Sequence, residues 1–230
     1  MEKHVMKDEV PPVGKVKTVW LDAEKVNNRS GFQCVKRIID IVLSAGGLVC
    51  LTPVFIIVSF LMKREEPTGP ILFKQARVGK NGKEFTMYKF RSMCVDAEDK
   101  LEQLLTKNEI KGAMFKMKDD PRVTEIGKKI RRNSIDELPQ LLNVLKGDMS
   151  LIGPRPPLPR EVKEYSRYDK QRLMVKPGCS GLWQISGRNE MDFAEMVELD
   201  IQYIREQSLM NDIKIIWKTV KVMVRPNGAY

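Results

Sequence analysis

Apolar positions are unevenly distributed along this chain, and the unevenness predicts its organisation. Residues 1–30 are polar with mixed charges and carry Pro11-Pro12 and Asn27-Asn28, which predicts a loosely ordered lead with a short strand over Lys17–Leu21. No apolar core follows its first charges, so it does not read as a targeting peptide. From Ile38 to Met62 the sequence is almost wholly apolar, and Asp40 is its only charge. A helix over those residues would be about 37 Å long, against a hydrocarbon layer of about 30 Å. Thr52-Pro53 falls just past the middle, where proline removes a backbone hydrogen bond and kinks a helix. Lys36-Arg37 and Lys63-Arg64 flank the two ends, and neither basic flank suits export. The pattern therefore predicts a helix–break–helix hairpin that enters a membrane and returns to the same face. An ordinary single span with a tolerated proline is the plainer alternative.

Beyond Met62 the pattern is that of a water-soluble domain. Ile71–Gln75 and Glu84–Arg91 have strand-like content around the turn signal Gly79-Lys80-Asn81-Gly82, which predicts a β-hairpin. Asp96–Asn108 reads as a polar helix with Leu101, Leu104 and Leu105 along one side. Further helices are expected at about 136–146, 160–174 and 190–207, between Gly/Pro-rich loops. In a last helix over 212–225, Ile213, Ile216, Trp217, Val220 and Val224 share one face, with Lys214, Lys218, Lys221 and Arg225 on an adjacent flank. A basic amphipathic helix with a tryptophan suits an anionic membrane surface; a core-facing helix with a solvated basic flank is the competing reading.

The expected class is thus α+β and mostly helical: a membrane-inserted re-entrant hairpin, and a cytoplasmic globular domain with a small β-hairpin and amphipathic interfacial helices. The expected divisions are a polar lead (1–32), a hairpin broken at Thr52-Pro53 (33–64) and a water-soluble domain with a C-terminal amphipathic helix (65–230).

Composition then narrows the chemistry. Forty Lys+Arg against 30 Asp+Glu leave a net charge of +10, which points to an anionic partner: nucleic acid, a phosphorylated substrate or an anionic membrane. Basic residues are spread along the chain with no recognised motif interleaving them with stacking aromatics, which argues against nucleic acid. The single histidine, His4, lies in the polar lead, so a histidine base, a His-ligated zinc or a Ser-His-Asp triad is not expected. Cys34, Cys50, Cys94 and Cys179 lie far apart with no CxxC pair and read as reduced thiols. No P-loop or GxGxxG is present.

Three clusters are candidates for chemistry. In Arg131-Arg132-Asn133-Ser134-Ile135-Asp136-Glu137-Leu138-Pro139-Gln140, adjacent carboxylates stand at a helix start behind two arginines. Ser134 and Glu137 match a capping box; alternatively Asp136 is the N-cap and Pro139 falls in the first turn. Helix N-termini and arginines favour anions and are expected to lower a carboxylate's pKa. Such a carboxylate can attack phosphorus or ligate Mg²⁺. In Gly147–Pro157, glycines and prolines would display Arg155 on a stiff loop as a phosphate clamp. In Lys176–Arg188, small residues interleave with Trp183, Gln184 and Arg188, a composition that suits a nucleotide or sugar. Each also has a plain structural explanation, as a helix cap, a tight connection or a turn.

Taken in order, these strings resemble the bacterial sugar transferase family, the monotopic polyprenyl-phosphate phosphoglycosyl transferases. The matching stretches are the apolar hairpin with Thr52-Pro53, Lys89-Phe90-Arg91-Ser92-Met93, Ser134 through Gln140, Gly147-Asp148-Met149-Ser150, Gly153-Pro154-Arg155-Pro156 and Lys176-Pro177-Gly178 through Gly187-Arg188. They cover roughly residues 33–226. The resemblance implies a two-step reaction on the inner face of the bacterial cytoplasmic membrane. Asp136 would attack the β-phosphate of a UDP-sugar, and undecaprenyl phosphate would then take the phosphosugar from it. Mg²⁺ would be held by Asp136 and the diphosphate, Glu137 would assist, and Arg131, Arg155, Lys89 and Arg188 would face phosphates. The family's frequent Ser-Pro helix break is Thr52-Pro53 here. Larger members carry a multi-span region ahead of this core, so a catalytic-domain-only form is expected. A catalytically silent scaffold of a polysaccharide-synthesis complex is the alternative. The sequence does not choose among glucose, galactose and N-acetylated or diamino sugars.

Overall fold

The computed structural model describes residues 19–97, 99–104, 117, 119–186 and 191–224. Its architecture is mostly helical, with two small two-stranded sheets. The apolar segment forms helices α2 (Ser30–Cys50) and α3 (Thr52–Glu65), preceded by a short α1 (Ala23–Asn27). The break falls where proline requires it: Pro53 lies in the first turn of α3, and the Thr52 hydroxyl donates to the Leu48 carbonyl at 2.9 Å. Among the described residues no single helix is long and apolar enough to cross a membrane. The pair α2–α3 passes that test together, bent by 57°. Asp40 is 4% exposed and accepts the Leu151 amide at 3.0 Å, so the segment's one charge faces protein while Ile38, Val42, Val49, Ile56 and Phe60 face outward.

Strands β1 (Leu72–Val78) and β2 (Glu84–Phe90) form the expected antiparallel hairpin, one to three residues displaced at the ends of the first strand, around a tight turn with Asn81 and Gly82 at positive φ. The region expected to be a helix over Asp96–Asn108 yields turns and then α4 (Leu101–Leu104); Leu105 through Asn108 lie outside the described residues. After it come α5 (Glu125–Arg132), α6 (Gln140–Lys146), β3 (Ser150–Ile152), α7 (Pro159–Lys163), β4 (Gly178–Ser180), α8 (Leu182–Ser186), α9 (Phe193–Arg205) and α10 (Leu209–Val224). The helix expected over 160–174 is two pieces, α7 and a 3₁₀ segment over Asp169–Met174.

The main core joins Val26, Ile152, Val175, Tyr203, Ile204 and Ile215, and a second cluster packs Val58 and Met62 of α3 on Phe90 and Ile130. The hairpin helices are therefore continuous with the globular part through their inner faces. No strand forms at Val19–Leu21, and Lys17 and Thr18 lie outside the described residues. Instead the Leu21 amide donates to Gln171 Oε1 at 2.6 Å, and Trp20 meets Tyr168 edge-on at 5.4 Å. In α10 the core face is Asp212 and Ile215, while Ile213, Trp217 and Val220 are exposed, Trp217 at 73%. The stripe is divided: Ile216 is half-buried and packs on the main core, as the core-facing alternative expects, whereas Ile213, Trp217 and Val220 face outward, as the membrane-surface reading expects. The flank of Lys214, Lys218 and Lys221 is exposed as well, and Arg225 lies outside the described residues.

Candidate functional site

The acidic pair sits in a tight connection between two helices, built by one unusual backbone conformation. Helix α5 ends at Arg132, and Ser134 then adopts left-handed φ 54, ψ 25. For a residue with a Cβ this conformation costs of order 1 kcal/mol, and it reverses the chain within one residue. Ile135–Glu137 form a single 3₁₀ turn, and α6 starts after Pro139. Both capping expectations are thereby corrected. Ser134 makes no side-chain cap bond, and Asp136 lies inside the 3₁₀ turn rather than capping α6. The physical reason is the left-handed Ser134, which ends the run of α5 and starts a separate 3₁₀ turn over Ile135–Glu137 that closes before α6 begins. Pro139 loses nothing there, because its missing N–H precedes the first hydrogen bonds of α6.

Helix α6 is locked to the hairpin by one side chain. Asn143, fully buried, accepts the Tyr88 amide at 3.0 Å and donates to the Thr86 carbonyl at 2.7 Å, pairing with the free edge of β2 as a further strand would. This sets Lys89 of β2 opposite the dyad, where its ammonium pairs with Glu137 at 2.8 Å. Arg131, one turn upstream, is aimed by a 2.9 Å bond from Nε to Ser92 Oγ. Asp136 is only 7% exposed. Burial pushes its carboxyl up to about 6; Lys89 opposes the shift, Glu137 reinforces it, and Arg131 opposes it. The expected lowering is thus reversed, because desolvation outweighs the two cations.

The Arg155 loop follows β3. Gly153 and Gly178 permit a backbone crossing that no side chain would tolerate: a Cβ on Gly178 would stand 2.1 Å from the Gly153 nitrogen. Across it β3 and β4 pair in parallel, with the Gly153 amide donating to Ser180 O at 2.9 Å. Arg155 pairs with buried Glu161 at 3.5 Å. Behind it lies Arg77 of β1, a residue the motif reading overlooked. Its guanidinium is buried, donating to the Pro156 carbonyl at 2.9 Å and to Gln75 Oε1 at 2.6 Å. Burial, then the charge of Arg155, lowers its pKa to about 9, while Glu161 and Glu137 pull it back. The available signal was the two-residue period of the strand, which puts Arg77 on the face of Phe73 and Gln75, opposite exposed Lys74.

The structure thus gathers Asp136, Glu137, Lys89 and Arg131 in one place, and the mutual influence of Glu137, Arg77 and Arg155 connects the Arg155 loop to it. Trp183 and Gln184 lie on α8. Trp183 is buried with an indole N–H that has no hydrogen-bond partner among the described residues, and Gln184 donates to the Cys179 carbonyl at 3.4 Å. Cys179 brings β4 near the dyad: burial raises its thiol pKa, and the charge of Glu137 adds to the rise. Arg188 lies outside the described residues. For a metal, no group of three or more Asp, Glu, His or Cys side chains stands together among the described residues. Mg²⁺ commonly takes only one or two carboxylates and completes its shell with phosphate oxygens and water. A buried carboxyl beside a second one fits an ion that arrives with a diphosphate.

Comparison with known proteins gives the site its context. Galactosyl transferase CpsE of Streptococcus agalactiae is 53% identical over 196 residues, covering 84% of this chain and 43% of that protein. Undecaprenyl-phosphate galactose phosphotransferase of Salmonella typhimurium is 46% identical over 200 residues, covering 85% of this chain and 42% of that protein. The chain spans less than half the length of these two relatives. It covers 88% of the exopolysaccharide production protein ExoY of Rhizobium meliloti, at 37% identity over 199 residues. The profile described as bacterial sugar transferase matches residues 31–226, and with the hairpin, the dyad and the Arg155 loop inside that match, the chain belongs to the bacterial sugar transferase family.

Proposed function

We propose that this protein transfers a sugar 1-phosphate from a UDP-sugar to undecaprenyl phosphate, the initiating step of a capsule, exopolysaccharide or related glycoconjugate. The observation that carries the reading is the buried Asp136 carboxyl, set beside Glu137 in a 3₁₀ turn with the charges of Lys89 and Arg131 acting on it. An Asp136 oxygen attacks the β-phosphorus, the bond from that phosphorus to the bridging oxygen breaks, and UMP leaves with that oxygen. An oxygen of the lipid phosphate then attacks the phosphosugar on Asp136 and frees the carboxylate. Arg131 and Arg155 neutralise the charge that builds on the phosphates, and Lys89 holds Glu137 in place. Trp183 and Gln184 stand on α8 and not on the expected loop, and with Arg188 they are the residues this reading gives to the nucleotide or sugar. Mg²⁺, held by Asp136 with help from Glu137, would supply charge neutralisation on the diphosphate.

The acceptor is a lipid, and the surface agrees with that. The exposed apolar residues of α2 and α3, and of α10 with its lysine flank, make a face suited to the inner leaflet of the cytoplasmic membrane. On this reading residues 33–64 are a re-entrant hairpin and residues 65–230 the catalytic domain beneath it. Replacing Pro53 by Ala restores a backbone donor and lowers the cost of a straight helix by about 3 kcal/mol. We expect a fraction of Pro53→Ala molecules to adopt a spanning topology. An impermeant thiol reagent applied to spheroplasts would then label a Lys83→Cys reporter only in the Pro53→Ala background, with native cysteines replaced by serine. Identical labelling in both backgrounds would show that Pro53 does not set the hairpin.

The reaction itself is tested by UMP release from purified, detergent-solubilised protein with Mg²⁺, undecaprenyl phosphate and a panel of UDP-sugars. The names of both the Streptococcus agalactiae and the Salmonella typhimurium relatives refer to galactose, so UDP-galactose is the first donor to test. Release that requires both donor and lipid is the expected result. Silence across the panel, persisting in native membranes, would favour the non-catalytic scaffold.

A further inference from the structure

Two cavities share a wall on the membrane-entering half of α2. The first, about 170 Å³, is lined by Lys36, Arg37, Asp40, Lys80, Ser150 and Lys176. Lys36 is committed to Asp212 at 2.5 Å, which leaves Arg37, Lys80 and Lys176 against the single carboxylate of Asp40. Asp40 is itself occupied by the Leu151 amide. Arg37 donates to the Val144 and Leu145 carbonyls at the end of α6, and Lys80 donates to Asn27. Lys176 has no hydrogen bond or ion pair among the described residues. Burial and then the charge of Arg37 hold its pKa below the usual lysine range. Ser150 is 1% exposed and its hydroxyl has no hydrogen-bond partner among the described residues. Surplus cations around an orphaned buried donor are the chemistry of an anion site.

The second cavity, about 340 Å³, is an almost purely apolar groove between α2 and α10, with Ile38, Val42 and Leu43 on one side and Leu209, Ile213 and Ile216 on the other. Lys36 and Asp40 line both cavities. Along α2 the cationic pocket spans positions 32–40 and the groove 36–43, so the groove extends about one turn further into the hairpin. Charge followed by hydrocarbon along the direction of entry is the polarity profile of a single lipid.

We propose that these two cavities form one site for an anionic glycerophospholipid, with its phosphate among Arg37, Lys80, Lys176 and Ser150 and an acyl chain in the α2–α10 groove. The reacting acceptor is not the occupant. Arg37 stands at the C-terminal end of α6, whereas Asp136 precedes its N-terminal end, and the seven residues of α6 span about 10 Å. A resident lipid there pins α10 to the base of the hairpin and fixes how the domain sits on the leaflet. The inference rests on the membrane placement above but not on the chemistry of Asp136.

The test is native mass spectrometry of the full chain released from nanodiscs holding equal phosphatidylglycerol and phosphatidylcholine. One lipid is expected to stay bound, phosphatidylglycerol at least fivefold over phosphatidylcholine, whose choline brings a like charge to the pocket. Lys80→Gln with Lys176→Gln is expected to bring the preference near unity, and Lys163→Gln with Lys170→Gln to leave it unchanged. Ile213→Asn is expected to cut retention of both lipids at least threefold. Asp136→Asn keeps the lipid whether or not the catalytic reading stands. Equal retention of both lipids, or an undiminished preference in the Lys80/Lys176 variant, overturns the site. One-for-one replacement of phosphatidylglycerol by equimolar undecaprenyl phosphate overturns the assigned occupant, and so does a dimer in place of the lipid-bound monomer. Release from membranes by carbonate alone would instead remove the membrane placement on which the site depends.

Discussion

Asp136→Asn is expected to lower transfer by a factor of 10³ or more, equivalent to at least about 4 kcal/mol in the barrier, while the protein stays folded. The amide matches the carboxyl in volume but does not attack phosphorus. The site around Asp136 also predicts no loss of stability. Burial already disfavours the charge on Asp136, so a neutral amide removes a desolvation cost and breaks no ion pair found among the described residues. Two measurements separate this from a structural effect. With UDP-sugar and no lipid acceptor, the original protein should gain the mass of one sugar phosphate less water on a peptide containing Asp136, and the variant should not. The thermal midpoint of the variant should be unchanged or slightly higher. Near-normal UMP release by purified Asp136→Asn protein would sink the covalent mechanism. Glu137→Gln is a useful contrast. It disrupts the 2.8 Å pair with Lys89 but keeps the nucleophile, so the mass shift should survive, more slowly.

Much of this architecture was legible because it follows from local rules. Gly79-Lys80-Asn81-Gly82 has few alternatives to a hairpin turn, and both strands formed around it with Asn81 and Gly82 at positive φ. Thr52-Pro53 marked the break between α2 and α3 because proline cannot continue the hydrogen-bond ladder. The strings carrying Asp136 and Arg155 stood out by composition. What sequence did not disclose depends on contacts distant along the chain. The Ser134 conformation overrides a good capping-box pattern, and the sign of the Asp136 shift follows from burial that the neighbouring arginines could not reveal. The helix expected over 160–174 divided, and residues 96, 97, 99 and 100 formed turns where helix was expected, because tertiary packing, not propensity, decides marginal helices. Arg77 is the most instructive omission. A strand arginine reads as solvent-facing until the Pro156 carbonyl, some eighty residues on, is folded against it.

The largest expected effect on stability lies behind the site, at Arg172 and Asp200. Both are almost fully buried. Arg172 donates to Asp200 Oδ2 from Nε at 2.7 Å and to the Tyr165 hydroxyl at 2.8 Å, with the Tyr165 and Phe193 rings about it at 5.7 and 5.8 Å. Burial pushes the Asp200 carboxyl up to about 6 even with Arg172 against it, so the pair gains little over its desolvation cost. Removing one member is a different matter. Asp200→Ala strands a guanidinium, which keeps its charge at any working pH, in an apolar interior, and the expected loss is about 3–5 kcal/mol. For a chain of this size that is a fall of roughly 6–20 °C in the thermal midpoint. Asp200→Asn retains an acceptor for Arg172 and should lose less than half as much. Asp200→Leu combined with Arg172→Met, which removes both charges at similar volume, should recover most of the loss. If that double variant fell as far as Asp200→Ala, the cost would belong to packing and not to the orphaned charge. The pair ties α9 to the 3₁₀ segment over Asp169–Met174, and that segment leads directly into Lys176 and β4. The destabilised variant should therefore loosen the β3–β4 crossing that carries the Arg155 loop before the protein unfolds globally. UMP release in Asp200→Ala should accordingly fail at a temperature below its unfolding midpoint.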